Sequence, residues 1–204
     1  MNMTRNFLCF CVAISTMLSP SWVLAESSDE TQARIVELLS NMTIEQKVGQ
    51  MTQVNLGAVI DKSVKDKVQF DPKLFNAAMH RYQVGSILNS TSRALSVEEW
   101  HELITTFQDE ALQNDLSLPV LYGIDAIHGG TYPKDSTLFP HNIGMGASRN
   151  PELVKEAAKV TALESRASGL RWNFDPGLDT GRNPNWPRFP ETFGDDSYLV
   201  PRMG

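Results

Sequence analysis

The chain has 204 residues, with 18 Lys+Arg against 24 Asp+Glu and a formal net charge of −6. An acidic chain without Lys/Arg clusters is a poor partner for nucleic acid or for an anionic membrane surface. Its length suffices for one domain with a sizeable core.

Residues 1–25 read as a signal peptide. Arg5 supplies the positive n-region, Phe7 to Leu18 the apolar h-region, and Val23-Leu24-Ala25 a small-residue cleavage site before Glu26. The apolar run is about a dozen residues, too short to span a bilayer. The expected product is therefore periplasmic or secreted and free of the membrane after cleavage near Ala25. It would keep 179 residues (26–204) and, with Arg5 lost, a charge of −7. Both cysteines, Cys9 and Cys11, lie in the removed segment, so a disulfide is excluded and a core must supply the stability.

From there the chain alternates between two hydrophobic periods. Ile35, Leu38, Leu39 and Met42 mark an amphipathic helix, and Thr43 with Gln46 forms a capping box for a second. Val48 to Leu56 turns into a first strand, followed by a charged surface loop over 58–69. Asp71-Pro72 opens a helix reaching about Arg81, and Val84 to Leu88 is the second strand. Ser96 and Glu99 cap a helix whose stripe is Trp100, Leu103, Ile104, Phe107 and Ala111.

Leu118 to Ile124 is the third strand, and it ends on Asp125, with His128 and Gly129-Gly130 close behind. A carboxylate at the end of a buried parallel strand points into the mouth of the sheet, where α/β barrels bind their substrates. Asp125 reads as a substrate-binding carboxylate; an Asp capping the next turn is the competing reading. Asn150-Pro151 then opens a helix with Glu152, Lys155, Glu156 and Lys159 on the wet face and Leu153, Val154, Ala157 and Ala158 on the other. Arg171 to Pro176 is the fourth strand, and a further helix is expected over Asp196 to Met203.

Repeated βα units predict a parallel sheet. A full eight-stranded barrel needs roughly 250 residues, so four units make either half a barrel or a smaller open sheet. No repeat, low-complexity tract or linker is visible.

The other informative stretch is the long loop Asp179 to Gly194, also at a strand C-terminal end. Loops this long inside a domain are usually functional. It carries Trp186, Arg182, Arg188 and Glu191, and an Arg fork suits vicinal hydroxyls or carboxylates. Pro184, Pro187 and Pro190 stiffen it; their P-x-x-P-x-x-P spacing leaves a polyproline II ligand as the alternative. His80, His101, His128 and His141 show no metal-ligand spacing. There is no nucleophile elbow, Walker A loop or dinucleotide fingerprint, so neither metal nor cofactor is expected.

Four motifs in order carry a family likeness: Gly123-Ile124-Asp125-Ala126-Ile127-His128-Gly129, Phe139-Pro140-His141-Asn142-Ile143-Gly144, Ala162-Leu163-Glu164-Ser165-Arg166-Ala167, and Arg182 to Arg188. Together they resemble glycoside hydrolase family 3, most nearly its exported β-glucosidases, from about Thr31 to Gly204. The resemblance implies the N-terminal half of a (β/α)8 TIM-like barrel over residues 26–204. It also implies a retaining hydrolase acting on terminal non-reducing β-D-glucosyl residues. Asp125 then matches the aspartate that binds sugar hydroxyls in the innermost subsite, and Arg188 the arginine of the same subsite. Glu191, His128 and Arg182 become supporting residues. Asn183 stands where the family usually has aspartate, which would weaken a loop hydrogen bond, and Pro187 where many members have glycine. The nucleophile and the acid/base fall beyond Gly204. Asp175, Asp179 and Glu191 do not replace them; Glu191 is expected to pair with an arginine of its loop. A β-xylosidase, an exo-glucanase and a non-catalytic carbohydrate-binding truncation are the alternative readings.

Overall fold

The computed structural model describes residues 28–204, so the signal-peptide reading and both cysteines lie outside the described residues. The first element, α1 (Ser28–Asn41), lies up to Ser40 in one compact unit, and a second begins at Asn41. Its predicted apolar stripe is wet at Ile35 and Leu39, which are 44% and 47% exposed, half-buried at Leu38 and buried at Met42.

The second unit contains α2 (Ile44–Gln50), β1 (Gln53–Asn55), α3 (Pro72–Asn76) running into a π-helical turn (Ala77–Arg81), and β2 (Ser86–Leu88). Then come α4 (Val97–Leu112), β3 (Leu121–Ile124), α5 (Asn142–Ala147), α6 (Pro151–Ala167), β4 (Trp172–Asn173) and α7 (Val200–Met203). All three strand pairs are parallel and the order is β1-β2-β3-β4. Each strand lies beside its predecessor. A doubly wound sheet would reverse its order at a switch point, whereas successive right-handed crossovers without reversal build a barrel wall.

The caps that start the helices are the predicted ones. Thr43 and Gln46 close one capping box, Ser96 and Glu99 another, and Asp71 and Asn150 cap helices with Pro at the first position. The main core lies between β1–β3 and α4, where Trp100, Leu103, Phe107 and Ala111 are buried. Trp100 meets Tyr122 edge-on at 5.6 Å, and Phe107 touches Phe70 and Phe75 at 5.3 Å. Burial of each such ring contributes about 2 kcal/mol. A smaller cluster of Met145, Val154, Phe193, Val200 and Met203 joins α5, α6 and α7.

Strand boundaries are shorter than the apolar runs, for identifiable reasons. β3 starts at Leu121 rather than Leu118 because Pro119 has no N–H and Val120 gives both its polar groups to Gln108: its N–H to Oε1 at 3.1 Å, its C=O to Nε2 at 2.7 Å. β1 does not begin at Val48, which still belongs to α2, and it ends where Asn55 accepts the Gly57 N–H and starts a 3₁₀ turn. α7 is four residues long because Asp196 folds a capping turn over Tyr198 and Leu199 before it. On α6 the buried row is Val154, Thr161 and Ser165, so Leu153 stays 51% exposed and Ala158 faces out, against expectation. α5 is not predicted by the sequence, since Gly144 and Gly146 lower its helix propensity.

Candidate functional site

Strand alternation builds the first half of the site. Tyr122 and Ile124 face α4, so the next odd position, Asp125, leaves β3 on the opposite face. The main chain there is clamped. The Ala126 N–H donates to Asn173 Oδ1 at 2.9 Å, and Asn173 Nδ2 reaches back to the Ala126 carbonyl at 3.4 Å. Below it, the Phe174 ring crosses Gly123 so closely that a Cβ there would lie 2.2 Å from it. Only glycine admits that approach. Tyr132 stands beside Asp125, its hydroxyl on Asn89 Oδ1 at 3.2 Å; burial, with the Asp125 charge nearby, raises its pKa.

The Arg188 loop builds the second half. Glu191 Oε2 accepts from Arg188 Nε at 2.7 Å and from Nη2 at 2.6 Å. This pairing is the main cause of a raised Arg188 pKa, and the charges of Asp125 and Asp179 add to it. Asp125 and Arg188, 63 positions apart in sequence, are thus within electrostatic reach of each other. The loop is tied at its base by the Gly181 N–H on the Gly194 carbonyl at 2.9 Å. Inside it, Asn183 Oδ1 accepts the Asn185 N–H at 3.0 Å, so asparagine keeps the acceptor role at this position. Arg182 is exposed, and its side chain has no ion pair or hydrogen bond among the described residues; it does not join Arg188 and Glu191.

His128 lies behind Asp125. Its Nδ1 is 3.0 Å from the Phe139 carbonyl, and its ring lies 4.0 Å from that of His141. The loop between them is left-handed at Gly129 (φ 106°). It is held to α6 by Glu164, whose carboxylate takes the Thr137 N–H at 2.8 Å and hydroxyl at 2.7 Å.

Two contributors have roles that the sequence does not show. Asp175, just past β4, accepts from Asn142 Nδ2 at 2.9 Å, and the same amide nitrogen donates to the Glu191 carbonyl at 3.0 Å. Burial pushes the Asp175 carboxyl up to about 6; hydrogen bonds from Asn142 and the Gly177 N–H oppose this, while Glu191 and Asp125 reinforce it. Asp175 lies inside the predicted fourth strand and Asn142 inside the second of the quoted motifs, but nothing local in either shows that the two meet.

A cavity of about 680 Å³ adjoins this constellation: His128, Asn142, Asn173 and Asp175 line one side of it and Val154 and Thr161 of α6 another, while Asp125 and Arg188 do not border it. Among the described residues no group of three or more His, Cys, Asp or Glu is placed to hold a metal, and no helix is long and apolar enough to cross a membrane.

Residues 43–204 match the glycosyl hydrolase family 3 N-terminal domain. The chain is 33% identical over 176 residues to a lysosomal beta glucosidase of Dictyostelium discoideum, covering 82% of this chain and 21% of that protein. It is 29% identical over 202 residues to a periplasmic beta-glucosidase of Salmonella typhimurium, covering 95% and 23%. Among solved structures, an exo-1,3/1,4-beta-glucanase from a Pseudoalteromonas species superposes with a TM-score of 0.71 at 32% identity, over 88% of this chain and 22% of the other. The chain therefore spans about a fifth of the length of these relatives, and its four βα units are part of a TIM-barrel-like domain.

Proposed function

The chain belongs to glycosyl hydrolase family 3, and from that premise we propose that it contributes the sugar-binding wall of an exported β-glucosidase. The polypeptide would remove terminal non-reducing β-D-glucosyl residues with retention. Asp125 accepts hydrogen bonds from sugar hydroxyls, Arg188 donates to them from the facing loop, and Glu191 aims the guanidinium. His128 supports the main chain behind Asp125, and Arg182 serves the outer rim. Retention needs two carboxyl groups flanking the scissile bond; we assign neither nucleophile nor acid/base to these 204 residues, because the motifs that carry the family likeness match no carboxylate here to either role. None of Asp175, Asp179 and Glu191 has that role in our reading. The observation that carries the proposal is that Asp125 follows β3 and the Arg188 loop follows β4, neighbouring parallel strands, so both leave the sheet at its C-terminal end. A periplasmic or secreted location, by cleavage before Glu26, completes the reading; N-terminal sequencing of exported protein should begin at Glu26. Neither a cofactor nor nucleic acid has a part in it.

The test uses the polypeptide at its full natural length with an aryl β-glucoside. Each charged hydrogen bond to a hydroxyl contributes about 1.5–3 kcal/mol. Asp125→Ala should therefore lower kcat/KM by about a hundredfold or more, with the melting temperature within a few degrees of the parent. Retention of more than about a third of kcat/KM would leave Asp125 with only a capping role. The exo-glucanase likeness favours a second reading, preference for glucan oligosaccharides over aryl glucosides. Comparing kcat/KM on the two substrate types decides between them.

A further inference from the structure

Asp175 is a half-buried acid that the proposed sugar binding does not use, and its surroundings show what it holds. Its Oδ1 takes one hydrogen of the Asn142 amide, at 2.9 Å. The other acceptor of that nitrogen, at 3.0 Å, is the main-chain carbonyl of Glu191. Glu191 in turn holds both Arg188 Nε and Nη2 through one carboxylate oxygen. Asn142 is only 5% exposed, so its amide has no water to turn to. A side-chain amide can flip by exchanging its oxygen and nitrogen, and a flip here would set its oxygen against two acceptors. Asp175 thus fixes the amide orientation that lets Asn142 grip the Arg188 loop from below. An apolar residue would have filled the end of β4 at lower desolvation cost, and would have left Asn142 held by one bond.

Resting on the sugar-binding reading above, we propose that Asp175 and Asn142 are positioning residues: a relay from the end of β4 through α5 that sets the Arg188 guanidinium against Asp125. Neither touches the sugar. The relay is distinct from the Glu191–Arg188 pair, which orients the side chain within the loop; Asp175 and Asn142 place the loop itself. Their effect belongs on substrate binding, with the chemical step little changed.

The full-length polypeptide tests this with 4-nitrophenyl β-D-glucoside and with hydrogen exchange of the amides over residues 186–194. Asp175→Ala and Asn142→Ala should each raise KM about tenfold while kcat falls less than about threefold. Exchange over the loop should quicken by a similar factor. Asp175→Asn, which keeps an acceptor oxygen for Asn142, should recover most of both. The double alanine variant should be no worse than the poorer single one, because the two residues act in series. Multiplying effects, or alanine variants whose KM and loop exchange stay within about twofold of the parent, overturn the relay. Should an alanine variant fail to fold, Asn142→Ser, with one donor left, and Asp175→Asn carry the same comparison. A parent without glycosidase activity whose loop exchange still responds would sink the function and leave the relay standing. An active parent with unmoved KM and exchange would do the reverse.

Discussion

Asp125 and Arg188 reach the same end of the sheet by different means. Asp125 is held through its own main chain, which continues β3 and is clasped at Ala126 by the Asn173 side-chain amide, with the Phe174 ring packed over Gly123. Arg188 stands on an exposed loop, fixed by its ion pair with Glu191 and by hydrogen bonds that side chains complete. Moving the carboxylate requires disturbing the fold. Moving the guanidinium requires only a change of charge or of one amide. One half of the site is therefore as stable as the domain, and the other is tunable.

The contrast is most severely tested at Gly123. Gly123→Val sets its side chain against the half-buried Phe174 ring, which must leave its place over the strand to admit it. The cost should be about 2–3 kcal/mol, lowering the melting temperature by several degrees. An unchanged melting curve would show that the main chain around Asp125 is not held as described.

On the loop side, Arg188→Lys keeps the charge but loses the planar fork that Glu191 grips. KM for a β-glucoside should rise about tenfold with the melting temperature unaltered. A drop in stability instead of in binding would make the loop part of the core and erase the contrast.

Smaller again is the pH effect of Asp175. Its folded pKa is raised from 3.8 to about 6, so the folded state holds the proton more tightly than the unfolded chain. This contribution to stability is fully present below the unfolded value and is lost as pH climbs through 6. After allowance for its partial exposure, the loss should be about 1–2 kcal/mol between pH 4 and 7. Asp175→Asn removes it, so the variant should gain on the parent in denaturant midpoint as pH rises over that window. The smallest change belongs to Glu102→Ala on the wet face of α4, within about 0.5 kcal/mol in stability and silent in activity.

The same contrast governs what can be read in the sequence. Helices announce themselves through caps such as Ser96–Glu99 and stripes such as Trp100 to Ala111, because both depend on neighbours within a few turns. Strand ends do not. Gln108 at Val120 and Asn173 at Ala126 take main-chain partners that no local pattern reveals. Asp125 and Arg188 are legible as residue types at strand ends. The Asp175–Asn142–Glu191 links join positions 33 and 49 residues apart, so only the folded chain shows them. α6 misleads for a related reason: its apolar residues exceed the narrow row that the described core covers.

Glu164 grips both the N–H and the hydroxyl of Thr137 from the outer helix α6. The loop behind Asp125 is therefore moored to helix α6 as well as to the end of β3, where the Thr131 hydroxyl lies 3.5 Å from the Asp125 carbonyl. Regions of a protein open in cooperative units, so a carboxylate on α6 couples the order of this loop to the stability of that helix.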